Sequence, residues 1–71
     1  MSNVVIFGVG NMGSTIAHAM NTLGHSLTLV DTNKEVLDKV GIKANKKSIL
    51  HIGEDAPSIV EGKDIVISSL P

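Results

Sequence analysis

Three glycines near the start of the chain have a spacing that suits the binding of a diphosphate. Residues 8–13 read Gly-Val-Gly-Asn-Met-Gly, which is the pattern G-x-G-x-x-G. Gly8 allows a tight turn from a strand into a helix, Gly10 lets the backbone touch the diphosphate because it has no Cβ, and Gly13 lets the helix lie close to the sheet. The alternative is a tight turn without a ligand. An apolar run precedes the motif and helical spacing follows it, as the binding motif requires.

An acidic residue follows at the interval, about 20 residues, at which such motifs bind a ribose. Asp31 ends the apolar run 27–30, and its carboxylate would accept hydrogen bonds from adenosine ribose hydroxyls. Its charge disfavours a 2′-phosphate, because two unit charges about 4 Å apart at an effective dielectric constant of about 20 repel by roughly 4 kcal/mol. We therefore expect NAD as the cofactor, with NADP as the alternative because Lys34 offers a cation. Asp31 could instead cap the next helix, a role for which Thr32 is also available.

The segments around the motif alternate between strands and helices. Four apolar runs predict strands: 4–7, 27–30, 48–52 and 64–70. Three segments with helical spacing predict helices: 11–23, 32–40 and 57–60. Thr32 and Glu35 have the spacing of a capping box, and the lysine-rich residues 43–47 are predicted to form a loop. This order predicts the α/β class: a Rossmann-type parallel sheet with strand order 3-2-1-4, the first half of a doubly wound domain.

The composition excludes several classes of protein. A single aromatic residue and a net charge of −1 argue against nucleic-acid binding, which needs stacking rings or a basic surface. The lack of cysteine excludes disulfides and thiolate metal sites. No apolar run approaches about 20 residues and no secretion signal is visible, so we expect a cytoplasmic protein without a membrane span.

The other candidate residues are best explained by structural roles. The histidines, at positions 18, 25 and 51, have no partners at a spacing suited to catalysis or to metal binding. Glu54 and Asp55 precede a predicted helix start, where acids are favoured electrostatically. The helical stripe of Met12, Ile16 and Met20 is predicted to face the core. We assign no catalytic residue and no metal ligand.

The motifs described above resemble those of two groups of dehydrogenases. The stretch from Val4 to Asp31, with G-x-G-x-Met-G and the later Gly-His pair, resembles the N-terminus of the β-hydroxyacid dehydrogenases of the 3-hydroxyisobutyrate and 6-phosphogluconate type. The ending 64–71, Asp-Ile-Val-Ile-Ser-Ser-Leu-Pro, is similar both to that group and to the saccharopine dehydrogenase-like reductases, and it favours the latter. Either resemblance implies an NAD(P)-dependent oxidoreductase. The residues implied to contact the cofactor are Gly8, Gly10, Asn11, Met12, Gly13, Asp31, Thr32, Ser69, Leu70 and Pro71, of which the last three would lie near the nicotinamide-side ribose.

The remaining strands of a doubly wound sheet are missing from residues 1–71. We therefore expect a segment of a longer protein, or a natural half-domain, whose small-molecule substrate binds to an absent domain. The segment alone would be inactive, and the fourth strand would form an open edge that favours self-association. One alternative function is a nucleotide-sensing domain of a potassium-transport system, whose Gly-Asp pair is loosely matched by Gly53-Glu54-Asp55. A structural half-domain without a ligand is the other.

Overall fold

The computed structural model describes residues 2–42, 44–50 and 56–69. These residues form a four-stranded parallel sheet with flanking helices. The strands are β1 (Asn3–Phe7), β2 (Ser26–Val30), β3 (Lys46–Ser48) and β4 (Ile65–Ser68). The helices are α1 (Asn11–Thr22), α2 (Lys34–Lys39) and α3 (Ala56–Val60). The strand order is β3-β2-β1-β4 with parallel pairing throughout, which confirms the predicted order. None of the helices within these ranges is long and apolar enough to cross a membrane.

The central strand β1 is buried on both faces, as its uninterrupted apolar sequence predicts. Successive side chains point to opposite faces of a strand, so β1 contributes to two separate clusters. The cluster on the side of α1 and α2 includes Val4, Ile6, Ala17, Leu29 and Leu37. The cluster on the side of α3 includes Val5, Phe7, Val30 and Leu50, with Ile59 and Val60 packed against it. This arrangement places the carboxyl ends of β1, β2 and β4 at one edge of the sheet, next to the start of α1.

The third strand differs from the prediction. It covers Lys46–Ser48 rather than 48–52, so part of the predicted lysine loop is a strand. Its register with β2 pairs Leu29 with Lys47. Because β3 is at the edge of the sheet, Lys47 can stay exposed while its backbone pairs, and an apolar run is not required there. Ile49 is 51% exposed outside the strand, and the rest of the predicted strand beyond residue 50 lies outside the described residues.

Helix α1 buries a different stripe from the predicted one. Met12 is 69% exposed, so its assignment to the core was wrong. The buried positions of α1 are Gly13 and Ala17, and Ile16 and Met20 pack against the same cluster. Met12 lies in the first turn and is rotated away from this stripe, which leaves its side chain at the carboxyl edge of the sheet.

Candidate cofactor site

The turn that leaves β1 has a backbone shape that requires glycine. Gly8 directly follows the strand and has a φ of 88°, which side chains of L-residues rarely adopt. Its N–H donates to the carbonyl oxygen of Val30 at 2.8 Å, so Gly8 still belongs to the sheet while the chain turns toward α1. The first glycine of the motif therefore serves the turn that its spacing predicts.

The third glycine allows α1 to approach the end of β1 closely. A Cβ added at Gly13 would overlap the carbonyl oxygen of Gly8. It would also lie 2.9 Å from the carbonyl carbon of Gly8 and 2.7 Å from the Oγ of Ser69. Cβ atoms essentially never make contacts shorter than 3.0 Å, so this packing exists only with glycine at position 13.

The second glycine lies at an open helix N-terminus. Gly10 is the N-cap of α1, with no side-chain cap and no acid in the first turn. The N–H of Ser14 donates to the carbonyl oxygen of Gly10 at 2.8 Å, so the N–H groups of residues 11–13 have no acceptor within the helix. In the part of the chain that the structure describes, a Cβ added at Gly10 would have no heavy atom within 4 Å. The protein's own packing does not require glycine here, and the open space fits a diphosphate bound to these N–H groups.

Asp31 holds the glycine loop at the end of β2. Its Oδ2 accepts a hydrogen bond from the N–H of Val9 at 3.0 Å, and its Oδ1 accepts one from the N–H of Asn33 at 2.8 Å. A carboxylate has about four lone-pair sites, so each oxygen can still accept a hydrogen bond from a ribose hydroxyl. The half-buried carboxylate thus lies beside the open start of α1, where the sequence predicts the ribose.

The cap of α2 is Asn33, so the predicted capping box of Thr32 and Glu35 was wrong. The Oδ1 of Asn33 accepts a hydrogen bond from the N–H of Glu35 at 2.9 Å. Asn is preferred over Thr as an N-cap, and the bond from Asn33 to Asp31 holds residue 33 in the extended conformation that a cap needs. Thr32 is exposed, and its contact with the cofactor stays a prediction.

The residue after β4 reaches the same loop from the other side. Ser69 donates its N–H to the carbonyl oxygen of Phe7 at 2.9 Å and its hydroxyl to the carbonyl oxygen of Gly8 at 2.5 Å. The two other cofactor contacts predicted in this segment, Leu70 and Pro71, lie outside the described residues. The structure therefore brings Asp31 and Ser69 to opposite sides of the glycine motif.

An open depression of about 190 Å³ adjoins the glycine loop. Its lining residues come from the loop and from both helices on that face: Val9, Gly10, Asn11, Ser14, Val36, Lys39 and Val40. The sequence analysis did not name Val9, Ser14, Val36, Lys39 or Val40 as site residues. Val9 lies within the glycine motif, whereas the other four had only a helical spacing, and they meet because α1 and α2 lie on the same face of the sheet.

The remaining candidate residues do not join this site. His25 accepts a hydrogen bond from the N–H of Ser2 at its Nδ1, 3.0 Å away, and His18 is exposed on α1. His51 and residues 53–55, the loose match to the Gly-Asp pair of the sensor alternative, lie outside the described residues. Among the described residues, no three His, Asp or Glu side chains form a group that could hold a metal ion.

The strand order, the turn at Gly8, the open N-terminus of α1 and the acid after β2 define a dinucleotide-binding domain of the Rossmann type. A comparison with protein families gives the particular family. Residues 3–71 match the sequence profile of the NAD-binding domain of 6-phosphogluconate dehydrogenase. The chain belongs to this family and is an NAD(P)-binding domain.

A relative in Caenorhabditis elegans extends this comparison. A protein named as a probable 3-hydroxyacyl-CoA dehydrogenase is 40% identical to this chain over 52 residues. The alignment covers 73% of this chain and 17% of the relative. Both comparisons support the resemblance to dehydrogenases of the β-hydroxyacid type.

Proposed function

We propose that this chain is the cofactor-binding portion of a longer NAD-dependent dehydrogenase acting on a β-hydroxy acid or hydroxyacyl substrate. The observation that carries the proposal is the open N-terminus of α1 beside the Asp31 carboxylate. The family match and the name of the nematode relative support the substrate class. A saccharopine dehydrogenase-like reductase acting on an amino acid is the second candidate, supported by the Ser-Ser-Leu-Pro ending.

The proposed subsites follow the described contacts. The diphosphate would accept hydrogen bonds from the N–H groups of Asn11, Met12 and Gly13, and the adenosine ribose would donate to Asp31. The nicotinamide supplies hydride chemistry when the cofactor is bound, and the residues of this chain bind and orient it. No residue described here is assigned as the proton donor of that reaction, and we propose that this group belongs to another part of the full protein.

Titration calorimetry with ADP-ribose tests the proposal. This ligand contains the diphosphate and the adenosine ribose, for which the subsites lie within the described residues. We expect saturable binding by the 71-residue chain. A sample that circular dichroism shows to be folded, yet that releases no heat at millimolar ADP-ribose, would contradict the proposed function.

We predict that Asp31→Ala lowers the preference for NAD over NADP. The substitution removes a ribose acceptor and the charge that repels a 2′-phosphate. Because that repulsion is roughly 4 kcal/mol, we expect the ratio of the two affinities to change at least tenfold. Affinity for both cofactors should fall, because the carboxylate also holds the N–H groups of Val9 and Asn33. The measured quantity is therefore the ratio of the two dissociation constants.

The control for this prediction is Asp38→Ala, which removes an exposed acid of the next helix and changes the net charge equally. It should leave the ratio unchanged. Equal affinities of the unsubstituted protein for NAD and NADP would show that Asp31 does not select the cofactor.

We also propose that the 71-residue chain, studied by itself, self-associates through the edge of β4. Within the described residues β4 pairs with β1 alone, and Val66 is 52% exposed on this edge strand. An apolar, unpaired edge favours pairing with another chain. We predict a mass above that of one chain by light scattering, and a shift toward the monomer in Val66→Lys.

Leu23→Lys is the matched control, because Leu23 is 71% exposed but lies at the end of α1, away from this edge. It should leave the mass unchanged. A strictly monomeric species at high concentration would refute the self-association.

A further inference from the structure

We infer that Ser69 is a positioning residue of the cofactor site. Its hydroxyl and the Asp31 carboxylate hold the peptide unit between Gly8 and Val9 from opposite ends. The start of α1 is thereby oriented before a ligand arrives. This inference rests on the proposed function, and it gives Ser69 a role distinct from the ribose contact that the family resemblance implies.

The side chains of Ser69 and Asp31 both form hydrogen bonds with the same peptide unit. The carbonyl group of Gly8 accepts a hydrogen bond from the Ser69 hydroxyl, and the N–H of Val9 in the same unit donates to Asp31. The two clamping residues follow β4 and β2, the strands on either side of β1. With both of its polar groups engaged, this peptide unit cannot rotate without breaking a hydrogen bond.

The clamping side chains are themselves fixed by the sheet. The N–H of Ser69 donates to the carbonyl oxygen of Phe7 at 2.9 Å, and the N–H of Asp31 donates to the carbonyl oxygen of Ser48 at 3.3 Å. Each bond continues the strand pairing by one residue. The hydroxyl and the carboxylate are therefore attached to backbone that already belongs to the rigid part of the domain.

The loop needs such a restraint because it contains glycine on either side of Val9. Gly8 and Gly10 have more accessible backbone conformations than other residues, so fixing their backbone costs more conformational entropy. If the peptide unit between them rotated freely, ligand binding would have to order it. A loop held in place before binding avoids this cost and so gives a higher affinity.

The Ser69 hydroxyl lies close to the first turn of α1. Its Oγ lies 2.7 Å from the position of a Cβ on Gly13, so the hydroxyl occupies the gap beside the first turn of α1. Ser69 is half-buried there, whereas its neighbour Ser68 is exposed within β4 and makes no described contact with the loop. The pair thus offers a matched comparison of two adjacent serines.

The experiment compares Ser69→Ala with Ser68→Ala in the 71-residue chain. We expect Ser69→Ala to weaken ADP-ribose binding about three- to tenfold, the range that corresponds to one hydrogen bond. It should also speed hydrogen exchange at the amide of Val9, because the peptide unit loses one of its two restraints. Ser68→Ala should change neither quantity, and Ser69→Thr, which retains the hydroxyl, should restore slow exchange at Val9.

Three results would overturn the inference. The first is equal affinity and equal Val9 exchange in the two alanine variants. The second is faster exchange spread evenly over β1 and β4 in Ser69→Ala, because that pattern indicates only a lower global stability. The third is unchanged exchange at Val9 in Ser69→Ala, together with a failure of the unsubstituted chain to bind ADP-ribose. The failed titration contradicts the proposed function. The exchange rate at Val9 tests the role of Ser69 independently of the titration.

Discussion

Replacing Gly13 by alanine is expected to destabilise the domain severely, although alanine is the best helix-forming residue. The new Cβ would overlap the carbonyl oxygen of Gly8, which is backbone and cannot swing aside as a long side chain can. Forced repacking of this kind costs typically 1–3 kcal/mol and sometimes more, whereas the gain in helix propensity over glycine is about 1 kcal/mol. A chain of 71 residues studied by itself has little stability in reserve. We therefore expect Gly13→Ala to lose its cooperative unfolding transition, or to unfold at a much lower urea concentration.

Urea denaturation followed by circular dichroism measures this effect, with Gly10→Ala as the control. A Cβ at Gly10 meets no heavy atom within 4 Å of the described structure. The weaker capping by alanine and the reduced freedom of the unfolded chain have opposite effects there, so stability should change by less than about 1 kcal/mol. Equal stabilities of the two variants would show that α1 does not depend on the close approach at Gly13.

Replacing Gly10 by valine is expected to abolish ADP-ribose binding while the fold is retained. The backbone at Gly10 is extended, with φ of −69° and ψ of −153°, and its negative φ does not itself require glycine. Its side chain would fill the space in front of the free N–H groups of α1, where the diphosphate is proposed to lie. Hydrogen bonds to charged groups contribute about 1.5–3 kcal/mol each, so losing two of them corresponds to an affinity loss of at least about 100-fold.

The measurement is calorimetric titration of Gly10→Val alongside Gly10→Ala and the unsubstituted chain. The affinity should fall stepwise as the side chain at position 10 grows, while the urea midpoint stays nearly constant. If valine at this position left the affinity intact, the diphosphate would have to bind elsewhere, and the open N-terminus of α1 would lose its proposed role.

Much of the framework was accessible from the sequence because it depends on local patterns. The uninterrupted apolar run of β1 indicated a strand covered on both faces, and the structure places helices on both sides of it. The glycine at position 8 marked a turn that only a positive φ allows. The alternation of strands and helices, with right-handed crossovers, left few possible strand orders, and the observed order is the expected one.

Local patterns misled where another contact outweighed them. At the start of α2 the competing contact is itself local: Asp31 accepts a hydrogen bond from the N–H of Asn33, two residues on, and the helix starts one residue later than the Thr32 spacing predicts. The apolar residues after Ser48 suggested a strand, but pairing with β2 selected the lysine-rich residues before it. Met12 fitted a helical stripe, yet the buried face of α1 is set by the close approach at Gly13.

The sequence by itself determined the class of fold, the turn at the glycine motif and the acid at the end of the second strand. These features need only the type of each residue and its distance from near neighbours along the chain. The tertiary structure decided that Asp31 and Ser69 hold one peptide unit of that motif from opposite sides. Ser69 is 61 residues away from Gly8, and no periodicity connects positions so far apart. Their contact exists because parallel pairing places β4 next to β1, which brings the carboxyl ends of both strands to the same edge of the sheet.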